Sequence, residues 1–246
     1  MNQYSLYAQK LKDLLGLLRE PVAVKLVHNE NELNSMNVSG YDAETKCRYC
    51  QAVMRASHGE KVILNADNIT CAAAAAAFGL KTLHPKLASG AAHHNVGTFG
   101  TQEAAQKMMS DMPRLPFGSY HFVVVSPLAS CEFEPVVVLV EAPPENLMWV
   151  ALALIYTTGE RLQFSTSVVQ ATCVDSTVVP FTTGRLNATL GCIGCREATD
   201  LMPVENLIGI PYLLLPVIME NLSAMEEVID KNRTKSIYER FKKNKI

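Results

Sequence analysis

His121-Phe-Val-Val-Val-Ser126 and, across a loop holding Cys131, Pro135-Val-Val-Val-Leu-Val140 are two runs dominated by β-branched residues. Branching at Cβ suits a pleated, half-buried surface, so both runs predict strands. Upstream, Pro21-Val-Ala-Val-Lys-Leu-Val27 reads as a buried strand and Lys61-Val-Ile-Leu-Asn65 as a short one. Downstream, Arg161-Leu-Gln-Phe164, Thr177-Val-Val-Pro-Phe181, Leu186-Asn-Ala-Thr-Leu190 and Glu205-Asn-Leu-Ile-Gly-Ile210 complete the strand set. Helical patterns separate these runs. Tyr7, Leu11, Leu14, Leu15 and Leu18 share one helical face, and Pro21 is expected to stop it.

After a polar connector from His28 to Glu44, Cys47-Arg-Tyr-Cys50-Gln-Ala-Val-Met-Arg-Ala56 opens a second helix. Asp67-Asn-Ile-Thr70 offers capping oxygens to a helix that begins at Cys71 and runs through an alanine tract to Phe78 and Gly79. Further helices are expected from Asn146 to Thr158, around Ser167 to Val174, and from Pro211 to about Asp230; the stretch from His84 to Gly100 reads as a loop. This alternation predicts an α/β protein, a mixed sheet with helices packed on it, forming one large domain over 1–246 with a short flexible basic tail at about 235–246.

The chain has 246 residues, 48% hydrophobic and 19% charged, enough to bury a substantial core. Twenty-two Lys and Arg against 24 Asp and Glu leave a formal charge of -2, so no net field favours nucleic acid or an anionic membrane. The longest runs free of charge and histidine, from Asn146 to Gly159 and from Asn206 to Met219, fall short of the ~20 residues of a membrane span. The opening residues lack the basic start, apolar core and small-residue cleavage site of a secretory signal, so a cytoplasmic setting is expected. There the seven cysteines are expected to be reduced, available as ligands or nucleophiles.

Cys47 with Cys50 and Cys192 with Cys195 form two C-x-x-C pairs, a spacing that lets two sulfurs converge on one ion or cluster. The pairs lie too far apart along the chain for a zinc ribbon. Gly191 and Gly194 allow backbone N–H groups to turn inward around Cys192, and Arg196 adds a fixed charge; such a nest is expected to depress thiol pKa and to donate to cluster sulfides. Cys131 reads as a small core residue. His93 and His94 are sequence neighbours that point apart in extended backbone, so they read as ordinary loop residues. No G-x-G-x-x-G, P-loop or G-x-S-x-G motif is present, and Glu132, Glu134, Asp175 and Asp200 are unpaired by local spacing.

Several segments together, Arg19-Glu-Pro-Val-Ala-Val-Lys25, Cys47-Arg-Tyr-Cys-Gln51, Asn68-Ile-Thr-Cys71, Pro113-Arg-Leu-Pro116 and Gly191-Cys-Ile-Gly-Cys-Arg196, resemble the domain-of-unknown-function family numbered 169, over Leu11 to about Leu222. The resemblance implies a cytoplasmic, often anaerobic setting in which an oxygen-sensitive centre is feasible. It also implies Cys50, Cys71 and Cys192 as first ligands, then Cys173 in its Cys-x-x-x-Thr-x-x-Pro context, with Cys47 and Cys195 as alternates. The expectation is therefore a [4Fe–4S]-type iron–sulfur protein of an anaerobic redox pathway. Its centre would transfer electrons with a redox partner protein or act as a Lewis acid on a small-molecule substrate. Zinc, a metal-free small-molecule-binding accessory protein, and a dithiol oxidoreductase using Cys192 and Cys195 stand as alternatives. The apolar residues Leu213, Leu214, Leu215, Val217, Ile218 and Leu222 of the closing helix suggest a homodimer.

Overall fold

The computed structural model describes residues 2–233, so the basic tail expected at 235–246 lies outside them. In chain order the elements are α1 (Gln3–Leu15), β1 (Val22–Val27), α2 (Glu30–Ser35), α3 (Tyr49–Ser57), β2 (Val62–Leu64), α4 (Ala72–Ala77), α5 (Pro85–Ala88), α6 (Ala91–Asn95) and α7 (Gln102–Asp111). Then follow β3 (Phe122–Pro127), β4 (Val137–Ala142), α8 (Pro144–Ile155), a π-helix (Ala171–Val178), α9 (Val179–Thr183), β5 (Asn187–Thr189), α10 (Ile193–Ala198), β6 (Asn206–Pro211), α11 (Leu215–Ala224) and α12 (Glu226–Arg233).

The fold is α/β, as the alternation of patterns indicates. Among the described residues six strands lie in the order β2-β3-β1-β4-β6-β5, with the two valine-rich runs flanking β1. Their pairs run antiparallel, for example Val24 opposite Val125 and Leu139 opposite Gly209, and parallel pairing is confined to the isolated bridges Asp42 to Val62 and Cys47 to Ile69.

Because side chains alternate across a strand, each strand feeds two cores. Ala23, Val27, Val124, Val138, Val140, Ile208 and Ile210 face α1, α8 and α11. Val22, Val24, Leu26, Val123, Val125, Val137 and Leu139 face α3, α4 and the π-helix. Burial on both faces explains why the strands read as continuous apolar runs rather than as polar and apolar alternation. No helix among the described residues is long and apolar enough to cross a membrane.

Several boundaries differ from the sequence reading. The first helix ends at Gly16, whose φ of 62° forms a left-handed cap, so Pro21 does not stop it and Leu18 is left 88% exposed. The connector and the glycine- and histidine-rich loop hold the short helices α2, α5 and α6, and α7 follows where no helix was expected. The closing helix breaks at Met225. Residues 161–164 are irregular rather than a strand.

The β-branched run at Thr177 is helical, not extended. Its hydroxyls make the difference, since Ser176 donates to the Ala171 carbonyl at 2.9 Å and Thr177 to that of Thr172 at 2.8 Å. Thr182 and Thr183 likewise donate to Val178 and Val179. Every residue of the π-helix is buried, and such surroundings override a strand propensity that amounts to ~1 kcal/mol.

Candidate functional site

The second core layer ends in a cleft of about 1590 Å³. Cys50, Cys71, Cys173, Cys192 and Cys195 all form part of its wall, although they come from four separate stretches of chain. Each is held by a local device. Cys50 lies in the first turn of α3, where the Arg48 N–H donates to Gln51 Oε1 at 2.9 Å. The same helix is anchored beneath by Tyr49, which is fully buried against Phe78 and shares a 2.9 Å hydroxyl contact with Thr177 of the π-helix.

Cys71 is the N-cap of α4, and the alanines behind it let that helix pack closely on the π-helix that carries Cys173. No side chain of residues 67–70 caps α4; Asn68 instead uses its carboxamide to close the turn at Asn65 and to hold the Ala43 and Ile63 carbonyls.

Cys192 is the N-cap of α10, and its sulfur accepts from the Cys195 N–H at 3.4 Å. The two sulfurs stand 3.0 Å apart, and Cys195 is also 3.1 Å from the Thr172 hydroxyl. Cys50, Ala171, Cys192 and Cys195 pack together as a small buried cluster. Gly191 has a φ of 83°, and a Cβ there would press on Arg196 and Leu201 at 3.2 Å, so the turn into the pair requires glycine. Gly194 has no such constraint; its carbonyl receives the Arg48 guanidinium at 3.0 Å.

Arg196 is not aimed at the thiols. It donates to the carbonyls of Leu190, Met202 at 2.9 Å and Glu205 at 2.8 Å, closing the loop that presents Cys192 and Cys195. Arg19 completes the clasp from below. It grips Glu205 at 3.2 and 3.3 Å and Asp200 at 3.2 Å, and Asp200 also meets His58 at 2.9 Å.

Three of these thiols, Cys173, Cys192 and Cys195, are held protonated rather than activated. The hydrogen bond to Cys195, then burial, pushes Cys192 far above the ordinary thiol range. Cys195 is lowered by that same contact, but the Cys50 thiol and burial outweigh it and leave Cys195 at about 11. Burial, followed by the neighbouring Cys71, Cys195 and Cys192, raises Cys173 strongly. The depression expected from a backbone nest is therefore overturned at Cys192, because the backbone bonds from Ala171 and Cys195 do not offset the sulfur–sulfur contact and the loss of water.

Cys47 is kept out of the cleft. Its backbone bonds to Asn68 and Thr70, its side chain lies in the second core, and burial raises its pKa. Cys131 is a core thiol on the opposite face, donating to the Phe133 carbonyl at 3.0 Å. Among the described residues no group of three or more His, Cys, Asp or Glu side chains already stands in a metal-binding arrangement. The donor set nonetheless matches soft-metal chemistry, since five thiols outnumber the other possible ligands in the wall, His93 and the exposed Glu197.

The sequence reading missed four contributors. His93, read as a loop residue, lines the cleft with Nε2 3.3 Å from the Gln170 amide nitrogen, and burial lowers its pKa. Gln170 is buried beside it, and Thr172 faces Cys195. Asp175, also buried, accepts from Thr166 at 2.5 Å and Thr189 at 3.0 Å and holds the turn at Val168, whose φ of 53° is strained for a β-branched residue. Polar residues crowded between apolar ones over 170–177 were the available signal.

A family model described as DUF169, an uncharacterised ArCR, matches residues 10–221. The uncharacterized protein MJ0308 of Methanocaldococcus jannaschii is 28% identical over 231 residues, covering 93% of this chain and 97% of that one. No solved structure matches.

Proposed function

Because the chain belongs to the uncharacterised DUF169 family, we propose its function from the cleft itself: it binds an iron–sulfur cluster of the [4Fe–4S] type on thiolates drawn from Cys50, Cys71, Cys173, Cys192 and Cys195. The observation that carries this reading is the convergence of those five thiols, from four stretches of chain, on one roomy cleft. Such a centre supplies one-electron transfer or, with an open coordination position, a Lewis acid for a small substrate. Loading displaces the thiol protons, so it is favoured as pH rises. It also draws together sulfurs that are close but not yet in a ligand arrangement. Arg48 and Arg196 keep the Cys192 loop in place while this happens.

Anaerobic purification, or reconstitution with iron and sulfide, is expected to give a brown protein with broad visible absorption and about four irons per chain. Cys50→Ser, Cys71→Ser and Cys192→Ser are expected to lose most of that iron, and Cys131→Ser to keep it. A colourless, iron-free preparation that stays so after reconstitution overturns the reading, and zinc in its place selects the zinc alternative. Redox pathway, partner protein and cytoplasmic setting belong to the same proposal.

So does a homodimer, supported by Leu213 and Val217 remaining exposed on the closing helical segment and by Met148 and Leu152 remaining exposed on α8, which packs on α11. Light scattering on the full chain, compared with a Leu213→Glu variant, tests it.

A second reading rests on the 3.0 Å separation of the Cys192 and Cys195 sulfurs. Oxidation of the two thiols to a disulfide releases two protons and passes two electrons to an acceptor, which would make the chain a dithiol oxidoreductase. Reversible loss of two titratable thiols in metal-free protein, abolished by Cys192→Ser, supports it.

A further inference from the structure

We infer that the cleft takes an organic anion, a carboxylate or a phosphate monoester carried on an apolar body, and that Arg48 and Arg196 receive its charge. This goes beyond the cluster reading by naming a ligand, and it stands on the wall of the cleft and not on a metal.

The first argument is charge balance. Arg19 and Arg55 each face two carboxylates, Asp200 with Glu205 and Asp42 with Glu60. Arg48 and Arg196, the arginines of the cleft wall, bond only to backbone carbonyls among the described residues. A carbonyl orients a guanidinium without neutralising it. The carboxylate in that wall, Glu197, is exposed and bonds neither of them. His93 adds no charge of either sign, since burial favours its neutral ring.

The second argument is placement. Arg48 donates to the Gly194 carbonyl at 3.0 Å and Arg196 to that of Leu190, so the two charges stand at opposite ends of the turn that carries Cys192. Arg48 is exposed and uses Nη1 alone in this bond, which leaves Nε and Nη2 without a partner among the described residues. Those two N–H groups form a planar fork that takes two oxygens of one carboxylate or phosphate. In a concave site with apolar walls such a pair attracts more strongly than in open water.

The third argument is the surface beside these charges. Leu190 and Ile193, on the turn itself, and Val96 and Val168, from two other stretches of the wall, remain exposed. Apolar side chains grouped next to a free guanidinium suit an amphipathic ligand, whose head the arginine receives and whose body they cover. At about 1590 Å³ the cleft exceeds the roughly 300–1,000 Å³ of an ordinary small-molecule site, so this ligand and a metal on the thiols fit together.

The test uses the full chain with phenylacetate, its neutral isostere phenylacetamide, phenyl phosphate, and inorganic phosphate, which lacks the apolar body. Binding is followed by calorimetry or ligand-observed NMR at low salt, and iron is measured on each sample. Phenylacetate or phenyl phosphate is expected to saturate one site, about tenfold tighter than both phenylacetamide and inorganic phosphate. A preference for either head supports the inference and assigns the anion. Arg48→Gln should weaken that anion about tenfold and leave phenylacetamide unchanged, a split that a merely loosened loop does not produce. Arg114→Gln, exposed and outside the wall, should change neither. Should Arg48→Gln not fold, Ile193→Glu, which sets a negative charge at an exposed position of the same turn, is expected to weaken the anion several-fold.

Phenylacetamide or inorganic phosphate binding as tightly as the organic anions, an Arg48→Gln chain that keeps its anion affinity, or no saturable binding of either organic anion overturns the inference. An iron-free chain that binds the anion removes the cluster and leaves this proposal standing, whereas a brown chain that binds neither anion does the reverse.

Discussion

The Arg196 guanidinium lies along the carbonyls of Leu190, Met202 and Glu205, so its charge closes a loop instead of activating a thiol. Arg196→Gln is expected to cost about 1.5–3 kcal/mol in chemical denaturation, the range for hydrogen bonds involving a charged group. It should also speed alkylation of Cys192 and Cys195 several-fold while leaving Cys131 unreactive. Unchanged alkylation would show that the loop does not depend on this residue.

Glu141 provides a separate residue-scale prediction. Burial first, opposed by Arg19 and reinforced by Glu205 and Asp200, raises its carboxyl to about 7 from an ordinary value of 4.5. The folded chain thus keeps a proton that the unfolded chain has released, and this group's contribution to stability falls as pH rises from about 4.5 to 7. Glu141→Gln should therefore be close to the parent at pH ~4 and more stable by on the order of 2 kcal/mol at pH ~8 in urea titrations.

At the scale of elements, the π-helix and β6 approach so closely that a Cβ on Gly209 would collide with the Ser176 carbonyl and stand 2.8 Å from Pro180 Cγ. Gly209→Ala is expected to destabilise the chain by about 3 kcal/mol or more, through overpacking of backbone against backbone, and thermal melting would reveal it. The strained turn above the same π-helix behaves oppositely. Val168→Gly should relieve the left-handed conformation and leave stability unchanged or raised by about 1 kcal/mol, while loosening the cleft rim.

Strands β1, β3 and β4 were legible because apolar runs bounded by Pro, His and polar residues have few other uses. The helix at Thr177 was not, since Thr and Val favour strands until a buried neighbour and hydroxyl bonds to carbonyls decide otherwise. The short helices between His84 and Gly100 are equally hard to read, each being barely one turn long and held against one another and α7 rather than by its own periodicity.

For the whole molecule, both large cores are built without the cleft thiols Cys50, Cys192 and Cys195, which pack in a cluster of their own. Removal of metal from a loaded sample by a chelator under anaerobic conditions should lower the melting temperature by several degrees while far-ultraviolet circular dichroism keeps its folded form. Complete unfolding on chelation would mean that the cluster organises the fold itself.

What the sequence determined by itself is the α/β class, most of the strands, and the types of residue available for chemistry: period, branching and composition are local properties that survive without a fold. Which cysteines meet was decided by tertiary structure alone. Cys47 is three residues from Cys50 and yet sits in the sheet-facing core, while Cys192, from the far side of the chain, packs beside Cys50. Sequence spacing measures distance along the backbone, and only the antiparallel closure of the sheet, the close seat of the alanine helix on the π-helix and the arginine clasps convert it into distance in space.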